Sequence, residues 1–267
     1  MSNSIRYIHV NNPAHLGDCI FNLISFYHIR KYIEDNNIYI FYFCKEEYHL
    51  QLKEFICSKN IQILPLLHTQ NIGLCMWVGD DTILSRDEQQ IIYKKNFSLY
   101  QTIFHNNIFK NLNIPFTIKE IYYGDNELIT RHKRIMETYP IFKNTKILII
   151  NSDPLSGQYY YNVDEFNNHV KMIATHHTVV CTKPIDGILS TITYGLSVKD
   201  IAAISINVDV VIAIHTGPFI GLLNVFTINR VKQFYVFDMN HTYDIPKFQM
   251  KQNITDISLE ELQKYVC

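Results

Sequence analysis

The chain has little glycine, one tryptophan and almost no net charge. Its nine Gly form no complete GxGxxG or Walker A loop, and neither GxSxG nor HExxH occurs. The motif-defined dinucleotide, P-loop, serine-hydrolase and zincin classes are therefore not indicated. Lys+Arg 24 against Asp+Glu 25 leaves a formal charge of -1. No stretch gathers the basic residues into the face or stripe that a nucleic acid needs. The densest run, Arg131-His132-Lys133-Arg134, reads as a solvated helix face. The six cysteines, Cys19, Cys44, Cys57, Cys75, Cys181 and Cys267, include no CxxC and no metal-type spacing. They are expected to be reduced thiols, several of them buried. No apolar run near residue 1 is long enough for a signal peptide. The most hydrophobic stretch, 204–228, is broken by Asn207, Asp209, His215 and Gly217-Pro218. It reads as two core elements around a polar turn, not as a membrane span. These absences predict a cytoplasmic protein with no nucleic-acid partner, no metal and no transmembrane segment.

What is present is a large supply of core formers. Hydrophobic residues make up 47% of the 267, enough for two domains. Eighteen Tyr, sixteen Phe and many Ile, Asn and Lys point to nucleotide bias in an AT-rich genome, so a single Tyr or Asn carries little meaning.

Strand and helix patterns alternate along the chain. Residues 5–10 read as a strand, and Ile20, Leu23, Ile24 and Tyr27 mark one face of a helix to about residue 33. Strands are predicted at 38–43, 61–64, 74–78 and 118–122, and helices at 46–57, 86–112 and 127–139. Residues 140–145 read as a linker, after which a new series begins with a strand at 146–150. Asp164 is expected to cap the next helix, and 178–181 to form a strand. Ser197-Val198-Lys199-Asp200 has the form of a capping box. A strand at 210–214, a helix at 217–225, a strand at 234–237 and a Ser-capped terminal helix at 258–265 complete the reading. Such alternation predicts an α/β protein with parallel sheets and helices on both faces. The expected domains are 1–142 and 143–267, two Rossmann-like units facing across a cleft, with the terminal helix packing back on the first.

Ligands of open α/β sheets bind at the carboxyl ends of strands, which makes three loops candidates. In the first, Gly17 can bring backbone close to a ligand. Asp18 stands at a helix start, where it serves either as a general base for a hydroxyl or only as a cap. His15 either orients an acid group or is structural. In the second, residues 151–158, Ser152, Ser156 and Gly157 suit phosphate contact, although a plain Asx/Pro turn has the same composition. The third, His215-Thr216-Gly217-Pro218, follows an apolar strand and opens an apolar helix. Its N–H groups, dipole and Thr216 hydroxyl suit an anion. His176-His177 and Asp80-Asp81 lack partners at ligand spacing and read as surface features.

Three segments in order, IHVNNPAHLGDCIFNLISFYHIRKY, ILIINSDPLSGQYYYNVDEFNNHV and LSVKDIAAISINVDVVIAIHTGPFIGLLN, resemble glycosyltransferase family 9, the heptosyltransferase-like branch of GT-B enzymes. The resemblance implies an acceptor on the first domain, a nucleotide-diphosphate sugar on the second, and inverting transfer without an obligatory metal or cofactor. It implies that Asp18 deprotonates the acceptor hydroxyl of a glycan, lipid-linked sugar or protein. Thr216 and Gly217 would hold the donor diphosphate, Ser152 and Ser156 would line its other side, and Thr182 and Lys183 would lie near the nucleoside. The chain departs from the family at Gln158-Tyr159-Tyr160-Tyr161, where a Lys or Arg is usual, and at Ile220, where His is common. A non-catalytic relative that binds a nucleotide or sugar, or serves in assembly, is the alternative. A sugar-nucleotide epimerase is another reading of the same fold, without a convincing set of ionisable groups.

Overall fold

The computed structural model describes residues 4–66, 73–77, 104–114, 122–155, 159–237 and 254–266. The chain divides into two compact units, Met1–Tyr123 and Gly124–Cys267.

The first unit contains β1 (Arg6–Asn12), α1 (Leu16–Asp35), β2 (Ile38–Cys44), α2 (Glu46–Lys53), β3 (Ile61–Pro65) and β4 (Leu74–Cys75). The strands are parallel in the order β3-β2-β1-β4. Strand β2 alternates: Ile38, Ile40, Tyr42 and Cys44 are buried, while Tyr39, Phe41 and Phe43 on the other face are half-buried. This is the period of a strand with one face against a helix. Helix α1 provides that cover, its Phe26 ring meeting Tyr42 edge-on at 6.3 Å.

The spacing in α1 predicts one apolar face. Instead, every residue from Asp18 to Phe26 is buried, as in a helix enclosed all round. Strand β4 is entered through Gly73 at φ 78°, where a Cβ would stand 2.0 Å from the His9 carbonyl oxygen. Only glycine fits so close a backbone approach. A π-helical turn, His105–Phe109, continues into Lys110–Leu112 at the end of the helix expected over 86–112. Residues 86–103 and 118–121, with Asp80 and Asp81, lie outside the described residues.

The second unit opens with α3 (Glu127–Thr138), β5 (Ile147–Ile150), α4 (Val163–Ala174), β6 (Val179–Cys181) and β7 (Leu189–Ser190). It continues with α5 (Val198–Ser205), β8 (Val210–Ile214), α6 (Gly217–Gly221), α7 (Val225–Arg230), β9 (Gln233–Phe237), β10 (Ile254–Asp256) and α8 (Leu259–Val266). Its six-stranded parallel sheet has the order β10-β9-β8-β5-β6-β7. All four residues of β5 are buried, as a central strand covered on both faces requires. On one face, Ile147 and Ile149 join Phe166, Val170 and Ile173 of α4 with Leu259 and Leu262 of α8. On the other, Phe219 of α6 meets Phe234 of β9 at 6.4 Å. Each buried phenylalanine contributes about 1.5–3 kcal/mol relative to exposure.

Leu259 and Leu262 of the terminal helix sit in the second unit's core, and helix α3 belongs to the second unit. Two expectations are revised here. Asn162, not Asp164, caps α4, accepting from the Asp164 and Glu165 N–H groups at 3.0 and 3.2 Å. The helix expected at 217–225 stops at Gly221, because extended Asn224 starts α7 by accepting from the Thr227 N–H at 2.9 Å. The Ser197–Asp200 capping box forms as read, with the Ser197 N–H donating to Asp200 Oδ2 at 3.0 Å.

The Arg131–Arg134 run is only partly a solvated face. Arg131 is largely buried and donates to Asp200 Oδ1 and Glu127 Oε1, both at 2.9 Å. The adjacent Lys199 side chain is closed to solvent and donates to Asp125 Oδ2 at 2.7 Å and Glu127 Oε2 at 2.6 Å. This ionic chain fixes α3 against α5. It satisfies a buried ammonium group that would otherwise be very costly to hold away from water.

Candidate functional site

Counted from β5, the second sheet runs third, second, first, fourth, fifth, sixth. The strand order therefore reverses between β5 and β8, and the crevice outside their carboxyl ends is where such sheets take ligands. The loops after β5, β6 and β8 leave from that edge.

Asn151 follows β5 and is 6% exposed. Its Oδ1 accepts from the Thr182 hydroxyl at 2.9 Å and from the Lys183 N–H at 2.7 Å. Its Nδ2 donates to the Lys183 carbonyl at 3.3 Å, and its own N–H donates to Thr182 Oγ1 at 3.0 Å. One carboxamide thus ties the β5 loop to the β6 loop. The Ser152 hydroxyl lies 3.5 Å from Thr182 Oγ1. Lys183 Nζ forms an ion pair with Asp153. Ser152 therefore shares one network with Thr182 and Lys183, the residues that the resemblance puts near the nucleoside. Ser156, Gly157 and Gln158 lie outside the described residues.

Where the family resemblance leads one to look for a cation, this loop is held by aromatic packing. Tyr159 is buried, stacks on Tyr161 at 5.3 Å and meets Phe237 at 5.1 Å. Burial pushes both phenols above their ordinary pKa, and the charge of Asp153 adds to the rise at Tyr161.

After β8, His215 is buried with its ring edge-on to Phe219 at 5.6 Å. Its N–H donates to the Phe237 carbonyl at 3.3 Å, which continues the sheet. Both features give it a structural part. Thr216 caps α6 in extended conformation, and its hydroxyl donates to the Ile214 carbonyl at 3.2 Å. The Phe219 and Ile220 N–H groups return to the Thr216 carbonyl at 3.0 and 3.3 Å. Pro218 has no N–H, so Gly217 supplies the first-turn donor outside those bonds. Pro218 stands second in the helix. Gly217 also keeps a φ outside the left-handed region. The turn is thus poorer in donors than its sequence suggests.

In the first unit, Gly17 and Asp18 lie in the first turn of α1 after His15. Asp18 is 7% exposed, and its Oδ2 accepts from the His15 N–H at 3.1 Å. The carboxylate therefore caps the helix. His15 Nδ1 is buried without a hydrogen-bond partner among the described residues. Burial first, and Lys45 second, lower its pKa, so its imidazole is neutral at neutral pH. Beneath the loop, Asn12 Nδ2 donates to Asn22 Oδ1 at 2.7 Å, and the Tyr42 hydroxyl donates to the same oxygen at 3.0 Å.

Sequence reasoning missed Asn151, Asn12 and Asn22. The only signal was their place, at or just past the end of a strand or within a buried helix. Asn is too frequent in this chain for that to stand out. His176 and His177 are exposed as expected. No group of metal-ligating residues occurs among the described residues. No helix among them is long and apolar enough to cross a membrane.

The class these features define is an α/β protein of two Rossmann-like units with candidate site loops at strand carboxyl ends. No family model matches the sequence, and no curated protein matches it. Solved structures do share the fold. A glycosyl transferase family 9 protein from Veillonella parvula DSM 2008 aligns over 99% of this chain and 91% of its own, with TM-score 0.51 and 13% identity. The E. coli heptosyltransferase WaaC with ADP aligns over 97% and 96%, with TM-score 0.55 and 8% identity. WaaC with ADP-2-deoxy-2-fluoro heptose aligns over 96% and 95%, with TM-score 0.52 and 8% identity. The chain has the α/β GT-B-like fold of these structures.

Proposed function

We propose that the protein is a glycosyltransferase that moves a sugar from a nucleotide-diphosphate donor to a hydroxyl acceptor, inverting and without a metal. The observation that carries this reading is the Asn151 clamp. It sets Ser152, Thr182 and Lys183 together at the carboxyl ends of β5 and β6, beside the switch point of a Rossmann-ordered sheet. Two structures of similar fold hold ADP or an ADP-sugar analogue, which supports a nucleotide-sugar donor. In the proposed step, Asp18 takes the acceptor proton as the acceptor oxygen bonds to the anomeric carbon. The bond from that carbon to the diphosphate oxygen breaks, and the diphosphate leaves with the electron pair. Lys183 and the Gly217 N–H oppose its growing charge.

Thermal-shift titration with ADP, UDP, GDP and their sugars is the test. Ligand at 100 times its Kd adds about 2.7 kcal/mol, a rise of several degrees in Tm for a chain this size. Release of nucleoside diphosphate with an acceptor panel then measures turnover. A flat response to every nucleotide and nucleotide sugar would sink the proposal.

A second reading, a binding or assembly protein without turnover, draws on one observation. Asp18 and Lys183 are both engaged by groups of the fold itself, the His15 N–H and Asp153. Stabilisation by a nucleotide sugar without diphosphate release would favour it.

A further inference from the structure

We propose that Asp153 is a built-in competitor for the donor diphosphate: its carboxylate occupies Lys183 and limits the affinity for any nucleoside diphosphate. The inference rests on the reading of Lys183 as a diphosphate ligand. Residues 151–162 contain no Lys, Arg or His, so the β5 loop brings no cation of its own. The β6 loop brings Lys183, and the β5 loop answers it with a carboxylate.

The pair is held in place by backbone, not chance. Asn151, two residues before Asp153, binds both the N–H and the carbonyl of Lys183. The side chains of Lys183 and Asp153 are 41% and 63% exposed, so a dissolved anion reaches the ammonium group without displacing core. A solvent-exposed ion pair of one charge each is weak and exchanges readily. A diphosphate, with more charge and more acceptor oxygens, displaces the carboxylate but then shares the site with it. Asp153 therefore costs affinity twice, through the pair that is broken and through the repulsion that follows.

The rival role for such a carboxylate is to hold a divalent cation that bridges to the diphosphate, which predicts the opposite sign. Calorimetric titration of the full chain with ADP and with UDP separates them, first in EDTA and then in Mg²⁺. In EDTA, Asp153→Asn is expected to bind about 3- to 10-fold tighter than wild type. Lys183→Met is expected to bind at least about 10-fold weaker, and adding Asp153→Asn to it to bring a smaller gain than in wild type, because only the repulsion is then left to relieve. Equal or weaker binding by Asp153→Asn in EDTA overturns the proposal, and so does weakening confined to Mg²⁺. If wild type binds and Lys183→Met weakens binding, but Asp153→Asn does not tighten it, only the role of Asp153 fails. If neither nucleotide binds any of the proteins, or Lys183→Met binds as wild type does, the reading of the site fails and this inference with it. Unchanged far-UV circular dichroism and Tm of the unliganded variants confirm that folding is not the variable.

Discussion

Lys199 donates to Glu127 Oε2 at 2.6 Å from a position closed to solvent, while the carboxylate it meets is half exposed. The two ends of this bond therefore depend on it unequally. Without the lysine, Asp125 and Glu127 return to water. Without the carboxylates, an ammonium group is left in the interior. Lys199→Met is expected to cost about 1–2 kcal/mol, and the double variant Asp125→Asn/Glu127→Gln about 3–5 kcal/mol. Urea unfolding measures both, and the reverse ranking would refute the argument. Burial pushes the Glu127 carboxyl up, but hydrogen bonds from Lys199 and Arg131 outweigh it and the net pKa is lowered. Its contribution is present above the ordinary carboxylate pKa and fades as pH falls through the lowered one.

His28 sets an acid limit on the first unit. Burial, aided by Arg30, holds its pKa at about 4 against an ordinary 6.5, and Nε2 has no hydrogen-bond partner among the described residues. Between those values the unfolded chain takes up a proton that the folded chain does not. Stability therefore falls as pH drops from 6.5 towards 4, by roughly 3 kcal/mol over the window. His28→Leu should remove this part of the slope. Parallel stability–pH curves for wild type and variant would count against it.

Gly73→Ala meets two penalties in one residue, a left-handed φ and a Cβ 2.0 Å from the His9 carbonyl oxygen. The loss should be at least about 2–4 kcal/mol, with β4 released from β1. Hydrogen exchange at the Met76 amide, which donates to the Asn11 carbonyl at 2.8 Å beside that pairing, reads the release directly. Retained protection in the variant would contradict it.

Asp18→Asn separates a base from a cap. The amide oxygen can still accept from the His15 N–H, so stability should change by less than about 1 kcal/mol. Nucleoside diphosphate binding should be unaffected. Transfer should drop by about 100-fold or more, since an amide cannot accept the acceptor proton. Full transfer activity in this variant would leave Asp18 as a cap alone.

The alternating elements were legible because buried parallel strands such as residues 147–150 and 210–214 are short apolar runs that stand out from polar loops. Capping at Ser197 was legible because its partner Asp200 is only three residues away. Pairings across long separations were not. Asn151 to Thr182, and Lys199 to Asp125, depend on which strands and helices become neighbours, and no local pattern encodes that. Strand β7 escaped notice at two residues, and β10 at three, both too short for a period to show. The solvated reading of Arg131 failed for the same reason, its partner Asp200 being sixty-nine positions away.

The buried thiols give each half of the molecule its own clock. Burial raises Cys19 well above the ordinary thiol range, and Cys44 and Cys181 to about 12. Alkylating reagents attack the thiolate, so in the native chain these three positions are chemically silent. Cys19 and Cys44 become reactive only when the first unit opens, and Cys181 only when the second does. Pulse labelling read by peptide mass spectrometry would time the two openings separately in one unmodified protein.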